Sequence, residues 1–253
     1  IEINSTSDQS AGYYTIPKFA FASTQGKTFT FTHDVTYEKL TSETESITAI
    51  GNQLMYEGIL EEYPVVAALG EKFEAVNLLP GADNIIDHFN IFVYVKEVNE
   101  NNKWYEWSRV PSIYLSKPNE RTFEIRYNEN KNYELKFGNN VNGRGLNQGD
   151  QIAIYYLKST GTDGKVTKNA FNSTPVNVYN TSQYNEILND TKDTSLNFLT
   201  IESVLNVTVS NTEDSTDFGE EENTEDIKRN APKFFSSEYK LTTKSDYKSY
   251  IER

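Results

Sequence analysis

Phe123-Glu124-Ile125-Arg126-Tyr127 and Tyr133-Glu134-Leu135-Lys136-Phe137 decide the fold. In each run apolar and charged residues alternate, so one face of an extended chain carries only large apolar side chains. Residues 128–132 between them, rich in Asn, suit a hairpin loop, and the pair predicts two antiparallel neighbours. Working outward, residues 151–157 predict a further strand, and residues 89–95 are apolar on both faces, as a central strand is. Residues 28–35 set Phe29, Phe31 and Val35 on one face, with His33, against Thr28, Thr30 and Thr32 on the other. The Asp-Gly of Gly161-Thr162-Asp163-Gly164 predicts a tight turn, and residues 176–179 and 204–209 predict shorter strands. Phe123, Ile125, Leu135, Phe137, Ile152 and Ile154 are expected to be buried together in one sheet layer.

Later segments read differently. Residues 180–195 are polar, with a short helix expected around Tyr184–Leu188. Residues 213–226 hold eight carboxylates; Glu220, Glu221 and Glu222 before Lys228 and Arg229 predict a helix start, and Pro232 its end. Thr243-x-x-Asp246 resembles a capping box and predicts a last helix. The fold class expected is mainly β (α+β): an antiparallel β sandwich or twisted sheet with a smaller mixed C-terminal segment containing short helices. The domains expected are a β-rich one over residues 1–165 and a smaller mixed segment over 166–253. Because the chain starts at Ile1 and stops at Arg253 within a helical pattern, it reads as a piece of something longer, truncated at that helix.

Hydrophobic residues make up 36% of the chain even counting Tyr. Adding the 13 Gly (13/253, about 5%) still leaves it short of the usual ~45–50%. With 17 Tyr and 14 Phe, such a chain suits thin sheets and wet contact surfaces better than one thick core. The formal net charge of −13 repels bare nucleic acid and anionic membrane faces. No window approaches the ~18–20 apolar residues of a membrane span. The absence of Cys removes disulfides, thiolate metal sites and Cys nucleophiles, and fits assembly in a reducing cytoplasm.

Residues 133–164 carry the most specific pattern. Tyr133 to Phe137 leads into Gly138-Asn139-Asn140, then Gly143, Gly145 and Gly149, then a strand through Tyr156, then Gly161 and Gly164. Gly and Asn tolerate positive φ and let the chain reverse between paired strands. A phosphate cradle needs a helix after the glycines; a strand follows here, and no Gly-Lys-Ser/Thr occurs.

This stretch resembles the baseplate J-like family of wedge proteins in contractile phage tails. The family pattern is a strand, Phe-Gly-Asp-Gly, a further Gly, a Pro/Gly turn, a strand ending in Tyr, and Gly-x-x-Gly. Phe137 and Gly138 match it, while Asn139 and Asn140 replace the Asp and second Gly. Gly143, Gly149, Tyr156, Gly161 and Gly164 fall in register, and the Pro before Gly149 is missing. Ala231-Pro232 with Leu241-Thr242 and Asp246-Tyr247 resembles a later family segment, and Ile16-Pro17 to Phe29 sits where members lead into a first strand. The resemblance implies a structural subunit with no enzymatic activity and no cofactor, metal or small-molecule ligand. Its implied partners are itself, as a dimer or ring, and other baseplate wedge proteins. Its implied place is the virion tail baseplate, after assembly in the host cytoplasm. Phe234, Phe235, Tyr239, Tyr247 and Tyr250 are the expected interface anchors.

Competing chemistry has weaker support. His33 and His88 are the only histidines, with no His-x-x-x-His spacing for zinc and no Gly-x-Ser-x-Gly elbow. The acidic run contains no Asp-x-Asp-x-Asn-Gly calcium loop and reads as a solvated face or a contact for a basic partner. Asn-x-Ser/Thr sequons are frequent by chance in an Asn/Thr-rich chain. Trp104 and Trp107 fit hairpin or core packing. If exposed and coplanar they would instead form a sugar-stacking platform, the mark of a carbohydrate-binding or adhesin module. A cleft with a hydrogen-bonded His–carboxylate pair would mark a hydrolase.

Overall fold

The computed structural model describes residues 1–5, 11–39, 48–79, 85–127, 132–200 and 207–216. In chain order its strands are β1 (Glu2–Ser5), β2 (Gly12–Ile16), β3 (Phe21–Thr24), β4 (Lys27–Thr30), β5 (Val35–Lys39), β6 (Thr48–Asn52), β7 (Tyr56–Glu57) and β8 (Ile59–Ala67). They continue as β9 (Ala75–Leu78), β10 (Ile85–Glu97), β11 (Lys103–Val110), β12 (Thr122–Tyr127), β13 (Tyr133–Lys136) and β14 (Gln151–Ser159). Beyond these come β15 (Thr174–Pro175), the helix α1 (Ser182–Thr191), β16 (Asn197–Phe198) and β17 (Val207–Ser210). The fold is mainly β, as its alternation predicts, with several antiparallel sheets and one short helix among the described residues.

The largest sheet has seven strands in the order β8-β14-β10-β11-β12-β13-β9. All its pairs are antiparallel except β11 with β12. Alternation sorts the central pair β10–β14 onto two faces. Ile91↔Tyr156, Val93↔Ile154 and Val95↔Ile152 meet on one, and Phe92↔Tyr155 and Tyr94↔Ala153 on the other. The first face joins Phe123, Leu135, Phe137, Trp107, Val76 and Leu78 in one core, with Ile125 packed at its side. The predicted hairpin is present, with Ile125 opposite Leu135.

This sheet curls. A flat one would hold its edge strands β8 and β9 about 29 Å apart at the usual strand spacing. Here inward residues of both edges share one core, and residues 68–74 tie the edges across one end. Ala68 N–H donates to Asp150 O and Gly149 N–H to Ala68 O, while Phe73 N–H donates to Gly138 O and Phe137 N–H to Glu74 O.

The second face of β10–β14 is covered by α1 and by Phe19. Thr181 caps the helix by accepting Tyr184 N–H, so the expected turn around residues 184–188 grows to ten residues. Phe19 has φ +70°, in the left-handed region that disfavours a bulky side chain. The turn that holds it is closed by Ala20 N–H to Pro17 O and by Phe19 N–H to Phe31 O. Its buried ring sits 5.0 Å from Phe92, 5.2 Å from Tyr184 and 5.7 Å from Tyr155. Ring packing offsets the backbone strain.

The remaining strands form three small sheets: β15-β17-β1-β6, β16-β2-β5 and β3-β4-β7. In two of them the chain after residue 165 returns to pair with the first 52 residues. Residues 1–216 are thus one compact unit, and the division expected at 165/166 falls inside it. Two local expectations are corrected. The run 28–35 breaks after Thr30 and restarts at Val35 in another sheet, leaving His33 exposed, although Phe29, Phe31 and Val35 are each buried. The strand expected at 176–179 is instead Thr174–Pro175 with a single bridge from Asn177 to Phe21. The helices expected beyond Glu220 lie outside the described residues.

Phe19→Ala is expected to destabilise the protein by about 3–5 kcal/mol, because a fully buried ring at the junction of β10, β14 and α1 is lost. Urea unfolding followed by the fluorescence of Trp104, in the same cluster, measures it.

Candidate functional site

The loop between β13 and β14 concentrates the motif residues. Gly138 has no room for a side chain: a Cβ there would lie 2.3 Å from the carbonyl carbon of Gly143. Gly138 N–H donates to Arg144 O, and Asn140 N–H to Gly143 O. Asn139 Oδ1 accepts Val141 N–H at 3.0 Å and Asn142 N–H at 2.8 Å, an Asx turn that an Asp makes equally well. Asn140 takes φ +65°, as a Gly would, and its Oδ1 accepts Gly145 N–H at 2.9 Å. Gly143 and Gly149 also have positive φ, as the sequence predicts for this loop. The Asp150 carboxylate, buried below the loop, accepts the N–H groups of Val98 and Asn147. The N–H groups of the loop are largely spent on the protein itself, the opposite of a phosphate cradle.

Beneath the loop lies an ionic cluster. The Glu97 side chain, 0% exposed at the end of β10, accepts Arg121 Nε at 2.7 Å and Arg144 Nη2 at 2.7 Å. Arg144 also reaches Glu100 at 3.0 Å, and the Arg121 guanidinium stacks 3.8 Å above the Tyr105 ring. Hydrogen bonding to Glu97 raises the Arg121 pKa above its ordinary value. A buried carboxylate between two guanidiniums fixes β10, the start of β12 and the loop relative to one another. Opposite, Glu74 gathers the N–H groups of Leu69, Gly70 and Glu71, which holds the closing segment. Sequence patterns gave no sign of Glu97, whose partners Arg121 and Arg144 lie far along the chain.

The rest of the motif is elsewhere. Tyr156 is in the core of the curled sheet. Gly161 (φ +63°) and Gly164 form a single 3-10 turn past the far end of β14. A Cβ on Gly164 would lie 2.5 Å from the Glu57 carboxyl carbon, and that carboxylate accepts Ser159 Oγ–H and Thr160 N–H. Phe137 to Gly149 and Gly161 to Gly164 are therefore separate pins at the two ends of one strand. Phe234, Phe235, Tyr239, Tyr247 and Tyr250 lie outside the described residues, as does the acidic run after Thr216.

Around the loop several apolar side chains reach the solvent among charged neighbours. Leu115 is 80% exposed and Val141 65%, with Leu69 and Tyr114 also exposed. Gly143 N–H to Ser116 O ties the loop to the turn carrying Tyr114 and Leu115. The Tyr114 and Phe73 rings lie 5.5 Å apart, and Lys136 Nζ sits 4.7 Å and 5.0 Å from the Phe73 and Tyr114 centroids. Backbone on a rigid scaffold thus presents side chains outward.

Trp104 and Trp107 are each 2% exposed and lie in different cores, so they form no sugar platform. The His88 ring accepts a hydrogen bond from Arg109 rather than pairing with a carboxylate. Among the described residues no group of three His, Asp or Glu is placed to hold a metal, and no helix is long and apolar enough to cross a membrane. Comparison with protein-family models gives no match, and comparison with curated proteins gives none either.

Arg144→Ala is expected to destabilise the protein by about 3 kcal/mol, because Glu97 remains buried with one guanidinium fewer. Adding Glu97→Gln is expected to recover much of that loss. A double-mutant cycle in urea reads the coupling, and strict additivity would contradict the cluster's role.

Proposed function

We propose that the chain is a non-enzymatic structural subunit of a contractile-tail baseplate, which acts in tail assembly by contacting copies of itself, as a dimer or ring, and other wedge proteins. The observation that carries this reading is the loop between β13 and β14, pinned internally by Asn139, Asn140 and Asp150. It carries Val141, and Leu115 beside it, to the solvent. Exposed apolar side chains on an over-determined backbone suit protein contact, since little ordering entropy is lost on docking. The order of Phe137-Gly138, Gly143, Gly149, Tyr156, Gly161 and Gly164 supports the baseplate J-like assignment within that class. The net charge of −13 favours protein partners over nucleic acid or anionic membrane. On this reading the protein works in the virion tail after assembly in the host cytoplasm.

Sedimentation velocity at rising concentration tests the self-contact. The wild-type chain is expected to associate, and Leu115→Asp with Val141→Asp to weaken association at least tenfold, about 1.4 kcal/mol. Both residues are exposed, so urea stability is expected to stay within about 0.5 kcal/mol. A wild-type chain that stays monomeric at high concentration and does not bind purified wedge proteins would count against the assignment.

A further inference from the structure

In the ladder between β10 and β14, Ile86 pairs with Lys158 and Ile91 with Tyr156, so residues 87–90 all stand against the single residue Leu157. The bulge is held by two side chains. Asp87 accepts Phe89 N–H at 2.9 Å and Asn90 Nδ2 at 2.7 Å. Arg109, from β11, donates Nη1 to His88 O at 2.8 Å and Nη2 to His88 Nε2 at 2.9 Å. The β10–β11 ladder runs only as far as Val93↔Trp107, so this guanidinium bridges the gap where the two strands part. Phe89 projects from the bulge, 80% exposed, its ring 5.4 Å from that of His88.

A guanidinium has donors and no acceptor, so Nε2 of His88 must accept and the neutral ring must carry its proton on Nδ1. A second proton on Nε2 would set N–H against N–H and cation against cation. We propose that His88 and Arg109 form an acid-released latch that fixes the bulge at residues 87–90 and, with it, the position of Phe89. This goes beyond the structural role proposed above and does not depend on it.

The surroundings favour release in mild acid. His88 is half-buried, faced by Arg109 from β11, by Tyr133 from β13 at 5.6 Å between ring centroids, and by Asp87 on its own strand. Burial first, then Arg109, lowers its pKa below the ordinary 6.5, against a smaller opposing pull from Asp87. A histidine held neutral in the fold contributes stability that is complete above the unfolded value. That contribution is lost as pH falls through the lower folded value.

The ordinary histidine value of 6.5 is the reference. In NMR of the uniformly labelled chain, the His88 ring is expected to titrate below that value. Over that interval the Cα shifts of Asp87, Phe89 and Asn90, which report backbone angles, are expected to move together. In His88→Gln, whose side-chain oxygen accepts from Arg109 at any pH, those Cα shifts are expected to stay fixed. In Arg109→Gln, which removes the cation and supplies an acceptor, the His88 midpoint is expected to rise toward the ordinary 6.5. The latch is refuted if His88 titrates at or above 6.5, if the bulge Cα shifts ignore its titration, or if they move equally in His88→Gln.

Discussion

The pairing of β10 with β14 is the constraint on which the rest of the structure depends. Both strands are buried on both faces, so the chain must supply two separate apolar layers for one strand pair. The first is intrinsic to the sheet: curling brings β12, β13 and β9 over Val93, Val95, Ile152 and Ile154. The second has to be imported from residues near Phe19 and from α1. A composition short of aliphatic residues meets this demand with rings. Phe19, Phe92, Tyr94, Tyr155, Tyr179 and Tyr184 interlock in mainly edge-on and tilted contacts.

The aromatic layer also explains how polar groups survive near it. Lys18 Nζ lies 4.1 Å from the Phe92 centroid and 2.5 Å from Glu106 Oε1, so its charge is met by a ring face and a carboxylate together. The Tyr184 hydroxyl donates to Lys18 O at 2.7 Å, which ties α1 to the turn holding Phe19. Burial pushes the phenols of Tyr94, Tyr155 and Tyr184 up, with Glu106, Glu62 and Asp34 adding to it respectively, so they remain protonated at physiological pH. Helix docking adds Trp104 N–H to Asp190 and Lys96 to Glu186 at the other end. Individually these rim contacts contribute little; their effect is to fix one orientation of α1.

Period-two alternation made the inner face legible, because burial on one side of a strand writes itself directly into neighbouring residues. Phe123, Leu135, Phe137, Ile152 and Ile154 are core for that reason, and the loop's glycines could be read because positive φ is a local demand. What escaped is whatever depends on distant partners. Nothing local marks Glu97 as the companion of Arg121 and Arg144, or Phe19 as a ring worth holding at φ +70°. The return of the chain after residue 165 was hidden for the same reason: β16 and β17 are short, and only their pairing with β2 and β1 shows where they belong. Asn139 and Asn140 are an intermediate case, since each supplies by hydrogen bonding or by φ what Asp and Gly would supply.

The sheet edges bear on where a protein of this shape can be touched. A free edge strand invites pairing with another chain, and β8 carries the devices that discourage it. Pro64 and Val65 form a bulge opposite Ala153, which breaks the regular row of donors and acceptors, and Glu61 and Glu62 add negative charge beside it. At the other edge β9 has only four residues. Backbone pairing is therefore a poor route to assembly here, and side chains on held loops are a better one. The closing segment 68–74 binds the loop around Gly143 to both edges at once, so the same hydrogen bonds that complete the curled sheet also stiffen the surface bearing Leu115 and Val141. Closure of the sheet and the rigidity of the surface bearing Leu115 and Val141 thus rest on one set of interactions.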